Sequence, residues 1–178
     1  MPLAESPAAH AARLLQEYNL ERIPVAVDRL AKLLGAQLRY SPLDDELSGM
    51  VYVKDEVPII GVNSLHHPNR QRFTIAHEIG HLCRHREEVS KAVHVDKGFP
   101  DTALKRDSVS GAGTDQLEID ANRFAAALLM PRHALEAALA SKSLDVEDEV
   151  AIQSLAKRFR VSTATLQYRL RTLGTEHP

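Results

Sequence analysis

His77-Glu78-Ile79-Gly80-His81 lies inside an apolar helical run, and the reading of these five residues decides both the architecture and the chemistry expected of the chain. On an α-helix, residues four apart stand about one turn up the same face, so both imidazoles can reach one ion while Glu78 points beside them. Two histidine nitrogens, a third protein ligand and an open fourth position for water make a catalytic rather than a structural zinc site. Such a metal brings the pKa of its bound water toward about 7 and polarises a carbonyl, so Glu78 is expected to be the general base acting on zinc-bound water.

The flanks supply the helix. Arg70-Gln71-Arg72-Phe73-Thr74-Ile75-Ala76 leads into the motif, Pro68 and Asn69 are start signals, and Phe73, Ala76, Gly80 and Leu82 or Cys83 give an apolar stripe at helical spacing. The predicted helix runs from about Asn69 to Arg86. Gly80 inside it costs about 1 kcal/mol relative to Ala, which predicts another backbone packed closely against it near the metal.

The third ligand is expected on a different element, and Glu118 is preferred. It opens the alanine-rich run Glu118-Ile119-Asp120-Ala121-Asn122-Arg123-Phe124-Ala125-Ala126-Ala127-Leu128-Leu129-Met130-Pro131, read as a helix that stops before the proline. Glu118, Ala121, Asn122 and Ala125 follow i, i+3, i+4 and i+7, so a carboxylate stands at one end of a face of small residues that can press on Gly80. Asp120 lies about 200° away around the helix, so one acid of the two faces the metal. The alternative leaves both acids solvated at a helix start, stabilised by the dipole.

Arg70-Gln71-Arg72-Phe73-Thr74-Ile75-Ala76-His77-Glu78-Ile79-Gly80-His81, followed by Glu118-x-Asp120-Ala121-Asn122-x-Phe124-Ala125-Ala126-x-Leu128-Leu129-Met130-Pro131, resembles the ImmA/IrrE family of metallo-endopeptidases. The likeness continues through Leu30-Ala31-x-Leu33-Leu34-Gly35, Leu47-Ser48-Gly49-Met50, Pro58-Ile59-Ile60-x-Val62-Asn63 and Leu155-Ala156-x-x-Phe159-x-Val161-Ser162, covering about residues 20 to 173. It implies a gluzincin-like zinc site in which His77 and His81 match the histidine ligands, Glu78 the catalytic acid and Glu118 the glutamate ligand. The family usually carries Glu where Asp120 stands, a departure that leaves the ligand assignment untouched. Members typically cleave helix-turn-helix repressors of mobile elements or stress responses, so the resemblance implies a protein substrate of that kind.

Composition agrees with a compact enzyme. With 178 residues, 44% of them hydrophobic, the chain can bury about 70% of its unfolded surface without staples. One domain over residues 1–178 is expected, with a catalytic core at 20–140 and a C-terminal helix pair at 149–173. Cys83 is the single cysteine, read as a buried apolar filler, and a reducing cytoplasm fits. No secretory h-region is readable, and nowhere do eighteen apolar residues run together, so no membrane partner is expected. A net charge of −2 gives no overall pull toward nucleic acid.

Residues 8–20 and 25–34 read as two short helices, the second ended by Gly35 at C′. Three strand-like runs follow, Ala36 to Tyr40, Gly49 to Val53 and Val57 to Asn63, separated by turn residues. The fold class is therefore α+β, a mainly helical zincin-like metallopeptidase with a small antiparallel sheet before the HExxH helix. The third run is either a sheet edge that accepts substrate as an added strand or an ordinary core strand. Residues 96–116, rich in glycine, serine and acids, read as a loop bordering the cleft.

Glu149 to Leu173 reads as two helices joined at Val161-Ser162-Thr163. Lys157, Arg158, Arg160, Arg169 and Arg171 make this stretch basic, so a DNA-binding helix-turn-helix is weighed, with Arg169 as its test. Arg160 stands where that motif usually has glycine, and an acidic run precedes it, so a packing pair with a solvated basic face is preferred. His85 lies about 12 Å along the helix axis from His77 and is given a supporting rather than a ligating role. Tyr52, Arg72 and His133 are unranked candidates for oxyanion stabilisation. Zinc follows from two imidazoles and a carboxylate, and Mn2+ fits the same set. The leading reading is a zinc endopeptidase cutting a repressor. The alternatives are a non-cleaving regulator that binds a repressor or antitoxin, and a DNA-binding regulator using the C-terminal helices.

Overall fold

The computed structural model describes residues 5–91, 93–96, 114–140 and 148–174. Among these residues the chain forms eight helices and four strands. The elements run α1 (Pro7–Glu17), α2 (Val27–Leu33), β1 (Gln37–Ser41), β2 (Gly49–Lys54), β3 (Val57–Asn63), α3 (Pro68–Arg84), α4 (Arg86–Lys91), β4 (His94–Asp96), α5 (Thr114–Leu129), α6 (Arg132–Ala140), α7 (Glu149–Phe159) and α8 (Thr163–Leu173). The α+β class holds. Most of the predicted loop 96–116 lies outside the described residues; its last residues, from Thr114, already belong to α5.

The sheet corrects the expectation of antiparallel pairing. Its order is β1-β3-β2-β4: β2 pairs antiparallel with β3 and β4, whereas β1 runs parallel to β3. The β2–β3 hairpin turns through Asp55 and Glu56 at φ 50° and 65°, the pair of positive angles that a type I′ turn requires. β1 adds on the far side of β3, and β4 takes the far side of β2. The run 57–63 is thus an interior strand, not the substrate-accepting edge. Its near-continuous burial, with Pro58, Ile59, Ile60, Val62 and Asn63 all inside, fits a strand covered on both faces.

Asn63 closes this end of the sheet. Its buried amide donates to the carbonyls of Leu43, Asp44 and Leu47 at 2.9–3.2 Å, and its Oδ1 accepts from the N–H groups of Leu43 and Leu65 at 3.3 and 3.0 Å. One asparagine thereby satisfies the backbone of the 43–47 loop, groups that would otherwise be costly to bury. The loop is fixed to the strand that delivers the chain into α3.

α3 starts at Pro68 behind His67, whose Nδ1 accepts from the Asn69 N–H at 3.1 Å. The helix ends earlier than predicted. His85 leaves helical geometry at φ −127°, ψ 39°, and α4 begins on a new axis at Arg86. The core is one continuous cluster of buried residues, from Ala11, Leu14 and Leu15 of α1 through Ile75 and Ile79 of α3 and the whole run Phe124–Met130 to Phe159 and Leu166.

The C-terminal pair docks on this body. Ser162 caps α8 by accepting from the Thr165 N–H at 3.0 Å, and Arg160 closes α7 in the left-handed conformation at φ 54°, the geometry for which glycine was expected. Arg169 faces inward, 1% exposed, and its Nε donates to the Met130 carbonyl at 3.1 Å. It holds α8 to the end of α5 and offers nothing to a DNA surface. No helix among the described residues is long and apolar enough to cross a membrane.

Candidate metal centre

His77 and His81 are presented by consecutive turns of α3, both 1% exposed, with ring centroids 4.6 Å apart and the rings edge to face. Their Nε2 atoms approach to 3.0 Å. Glu118, from the first half of α5, brings Oε2 to 3.3 Å from His77 Nε2 and Oε1 to 3.2 Å from His81 Nε2. The ligand atoms of these three residues all lie within 4.8 Å of one another.

The helix crossing that unites them depends on small residues. A Cβ on Gly80 would stand 3.1 Å from Phe124 Cδ1, 3.3 Å from Ala121 Cα and 3.4 Å from the Ala121 carbonyl oxygen, tighter than ordinary van der Waals contact. α3 and α5 therefore approach along the Gly80–Ala121 line, and the close backbone predicted from Gly80 is α5. On the other side of α3, β2 is equally close: a Cβ on Gly49 would overlap Thr74 Cγ2, come within 2.7 Å of the Gly61 carbonyl oxygen and stand 3.5 Å from Glu78 Oε1. Glu78, 0% exposed, is thus enclosed between its own helix and the start of β2.

Further contacts orient the imidazoles. His77 Nδ1 donates to Asn122 Oδ1 at 2.9 Å, leaving the Nε2 lone pair directed at the cluster. Asn122 lies one turn beyond Glu118 on the same α5 face, so the spacing that placed Glu118 carried this signal too. His81 Nδ1 meets His85 Nδ1 at 3.2 Å, and His85 Nε2 meets Asp120 Oδ2 at 3.2 Å. Asp120 is gripped by Arg84, which donates from both Nε and Nη2, and the Arg84 guanidinium also donates to the Glu5 carbonyl at 3.2 Å. Burial holds the pKa of His85 below the ordinary histidine value, with Asp120 opposing it. Glu118 and Asp120 diverge as their angular separation requires, one toward the imidazole pair and the other toward His85.

The donor set fits a tetrahedral cation. A zinc–nitrogen distance of about 2.0–2.1 Å gives a tetrahedron edge of about 3.3–3.4 Å. The three separations between ligand atoms, 3.0, 3.2 and 3.3 Å, are close to that edge. Two neutral imidazoles and one carboxylate offset half the charge of a divalent ion. Glu118 alone of the three is substantially open, its side chain 35% exposed, so the cluster meets solvent on that side.

The remaining sequence candidates scatter. His133 is exposed at the start of α6, beyond the far end of α5 from Glu118. Arg72 is partly buried, and burial and the Arg160 charge press its pKa down while Asp28 raises it. Tyr52 is partly exposed on β2 opposite Ile59. Among the described residues, only His77, His81 and Glu118 form a cluster able to hold a metal ion.

Comparison with known proteins agrees with this arrangement. Residues 31–171 match the IrrE N-terminal-like domain family. The chain is 28% identical over 179 residues to the radiation response metalloprotease IrrE of Deinococcus radiodurans, an alignment covering 96% of this chain and 49% of that protein. It therefore spans about half the length of that curated relative. Its fold is shared with a Mycobacterium tuberculosis transcriptional regulator at a TM-score of 0.63 and 22% identity, over 92% of this chain and 46% of the other. With a family match running from α2 to α8 and enclosing the whole His77–His81–Glu118 cluster, the chain belongs to the ImmA/IrrE family of metallopeptidases.

Proposed function

We propose that the chain is a zinc-dependent endopeptidase that hydrolyses a peptide bond in a regulatory protein, with a helix-turn-helix repressor as the favoured substrate. The observation that carries this reading is the convergence of His77, His81 and Glu118 at 3.0–3.3 Å, with Glu78 enclosed on the same turn of α3. His77, His81 and Glu118 would hold the metal. Bound there, zinc would acidify water and polarise the scissile carbonyl.

The protein's own groups do the rest. Glu78 takes the proton of the attacking water as its oxygen bonds to the carbonyl carbon, then delivers that proton to the amine nitrogen as the C–N bond breaks. Enclosure between α3 and β2 fixes its carboxylate in one place, which lowers the entropic cost of both transfers. Asn122 keeps His77 in the tautomer whose Nε2 lone pair faces the ligand position. The buried walls around the two imidazoles strengthen each of these charge interactions relative to water.

The test is co-expression with helix-turn-helix repressors of the same organism, followed by mass spectrometry of the products. A single new pair of termini in one repressor, absent with Glu78→Gln, is expected. Cleavage retained by Glu78→Gln would remove Glu78 from the reaction. Intact repressors whose repression is nonetheless relieved by Glu78→Gln would favour the non-cleaving regulator. The inward turn of Arg169 gives the DNA-binding reading less support.

A further inference from the structure

We infer that Asp120 and His85 act as positioning residues that dictate which nitrogen of His81 is available to the metal. This inference rests on the metal-site reading above and concerns residues outside the ligand set.

One line of contacts fixes where the protons sit. Arg84 donates two N–H groups to Asp120, so the Asp120 carboxylate is fixed as an acceptor. Its Oδ2 stands 3.2 Å from His85 Nε2, which places a proton on that nitrogen. With Nε2 the donor, Nδ1 is the acceptor of the His85 ring. His85 Nδ1 lies 3.2 Å from His81 Nδ1, so His81 must be the donor there and carries its proton on Nδ1. His81 Nε2 is then left with its lone pair, directed at Glu118 and at His77 Nε2.

The opposite assignment cannot support the site. A proton on His85 Nδ1 would point His85 Nε2 as a lone pair at a carboxylate oxygen. It would also move the His81 proton to Nε2, between the ligand atoms, where it would have to be displaced before a cation bound. Asn122 performs the equivalent service for His77 through one direct contact. For His81 the same result is reached through two residues, because the acid that faces this side of α5 is one imidazole away.

The contact follows from helical spacing, since His85 stands four residues beyond His81 at the end of α3. His85 is the C-cap, at φ −127° and ψ 39°, and its ring sits 5.3 Å centroid to centroid from His81. The Arg84 contact to the Glu5 carbonyl adds a clamp on the acid from the segment before α1.

Two measurements on the full chain test the inference. Imidazole 15N chemical shifts of the metal-free protein should show His81 protonated on Nδ1 in the wild type and losing that preference in Asp120→Ala. Zinc affinity, read by competition with a chromogenic chelator, should fall about 10–100-fold in Asp120→Ala and His85→Ala, and Asp120→Glu should restore most of it. A wild-type His81 with no proton on Nδ1, or zinc affinities within twofold of wild type in both alanine variants, would overturn the inference. A wild type that binds no zinc would instead overturn the metal-site reading, and the tautomer spectrum would still decide the positioning role. That spectrum needs no variant to fold.

Discussion

Gly80 of α3 lies against Ala121 of α5 so closely that a Cβ on the glycine would stand 3.3 Å from the alanine Cα. Glu118 is one turn from Ala121 and His81 is the neighbour of Gly80, so this contact sets how far the carboxylate stands from the imidazoles. Gly80→Val adds a branched side chain where even one carbon is tight, so it should force α3 and α5 apart. Overpacking of this kind costs about 1–3 kcal/mol, and zinc affinity should fall with it. Thermal unfolding and chelator competition on the same variant check both effects. Gly80→Ala should be far milder, since its helix-propensity gain of about 1 kcal/mol opposes a displacement of a few tenths of an ångström.

Asn122→Ala removes the acceptor from His77 Nδ1. Zinc affinity is expected to fall about 10-fold or more, while Asn122→Asp, which retains an oxygen at the same reach, should stay near wild type. Chelator competition separates the two. Equal affinities in all three proteins would show that His77 is oriented by its packing alone.

Arg169→Ala should destabilise the fold by about 3 kcal/mol or more. It empties the volume of a fully buried side chain and strips a donor from the Met130 carbonyl. Arg171→Ala, on the exposed side of the same helix, should change stability by less than about 0.5 kcal/mol. Denaturant unfolding of the pair is the check. A mild Arg169→Ala would mean that α8 is held to the body by its apolar side chains.

Burial pushes the Cys83 thiol from its usual 9.0 up to about 11. The thiolate is the reactive form, so alkylation by iodoacetamide at pH 8–9 should be well below that of an unfolded control and should rise only as pH nears 11. The sign of the linked effect on folding follows. Between pH 9 and 11 the folded thiol keeps its proton while the unfolded one loses it, so this group's contribution to stability declines as pH rises through that window. A labelling midpoint near 9 in the folded protein would contradict it.

What the sequence disclosed is uneven for physical reasons. The strand 57–63 was legible as an apolar run bounded by turn residues, and the α7–α8 pair by the helical repeat of its apolar side chains. The parallel pairing of β1 was not, because side-chain alternation is the same for either strand direction. β4 has three residues, too few for any period to show, and α4 is a single short helix created by the break at His85. At the centre, Glu118 and Asp120 were separable by helix angle alone. That Asp120 meets His85 was not, since the pair joins two helices and no spacing within either one sets it.

Elemental analysis of purified wild type beside Glu118→Ala tests whether His77, His81 and Glu118 together hold one zinc. About one zinc per chain is expected in the wild type and a clear loss in the variant, whose fold should remain intact by circular dichroism. No metal in the wild type even after zinc is supplied, or full occupancy in Glu118→Ala, would contradict that assignment.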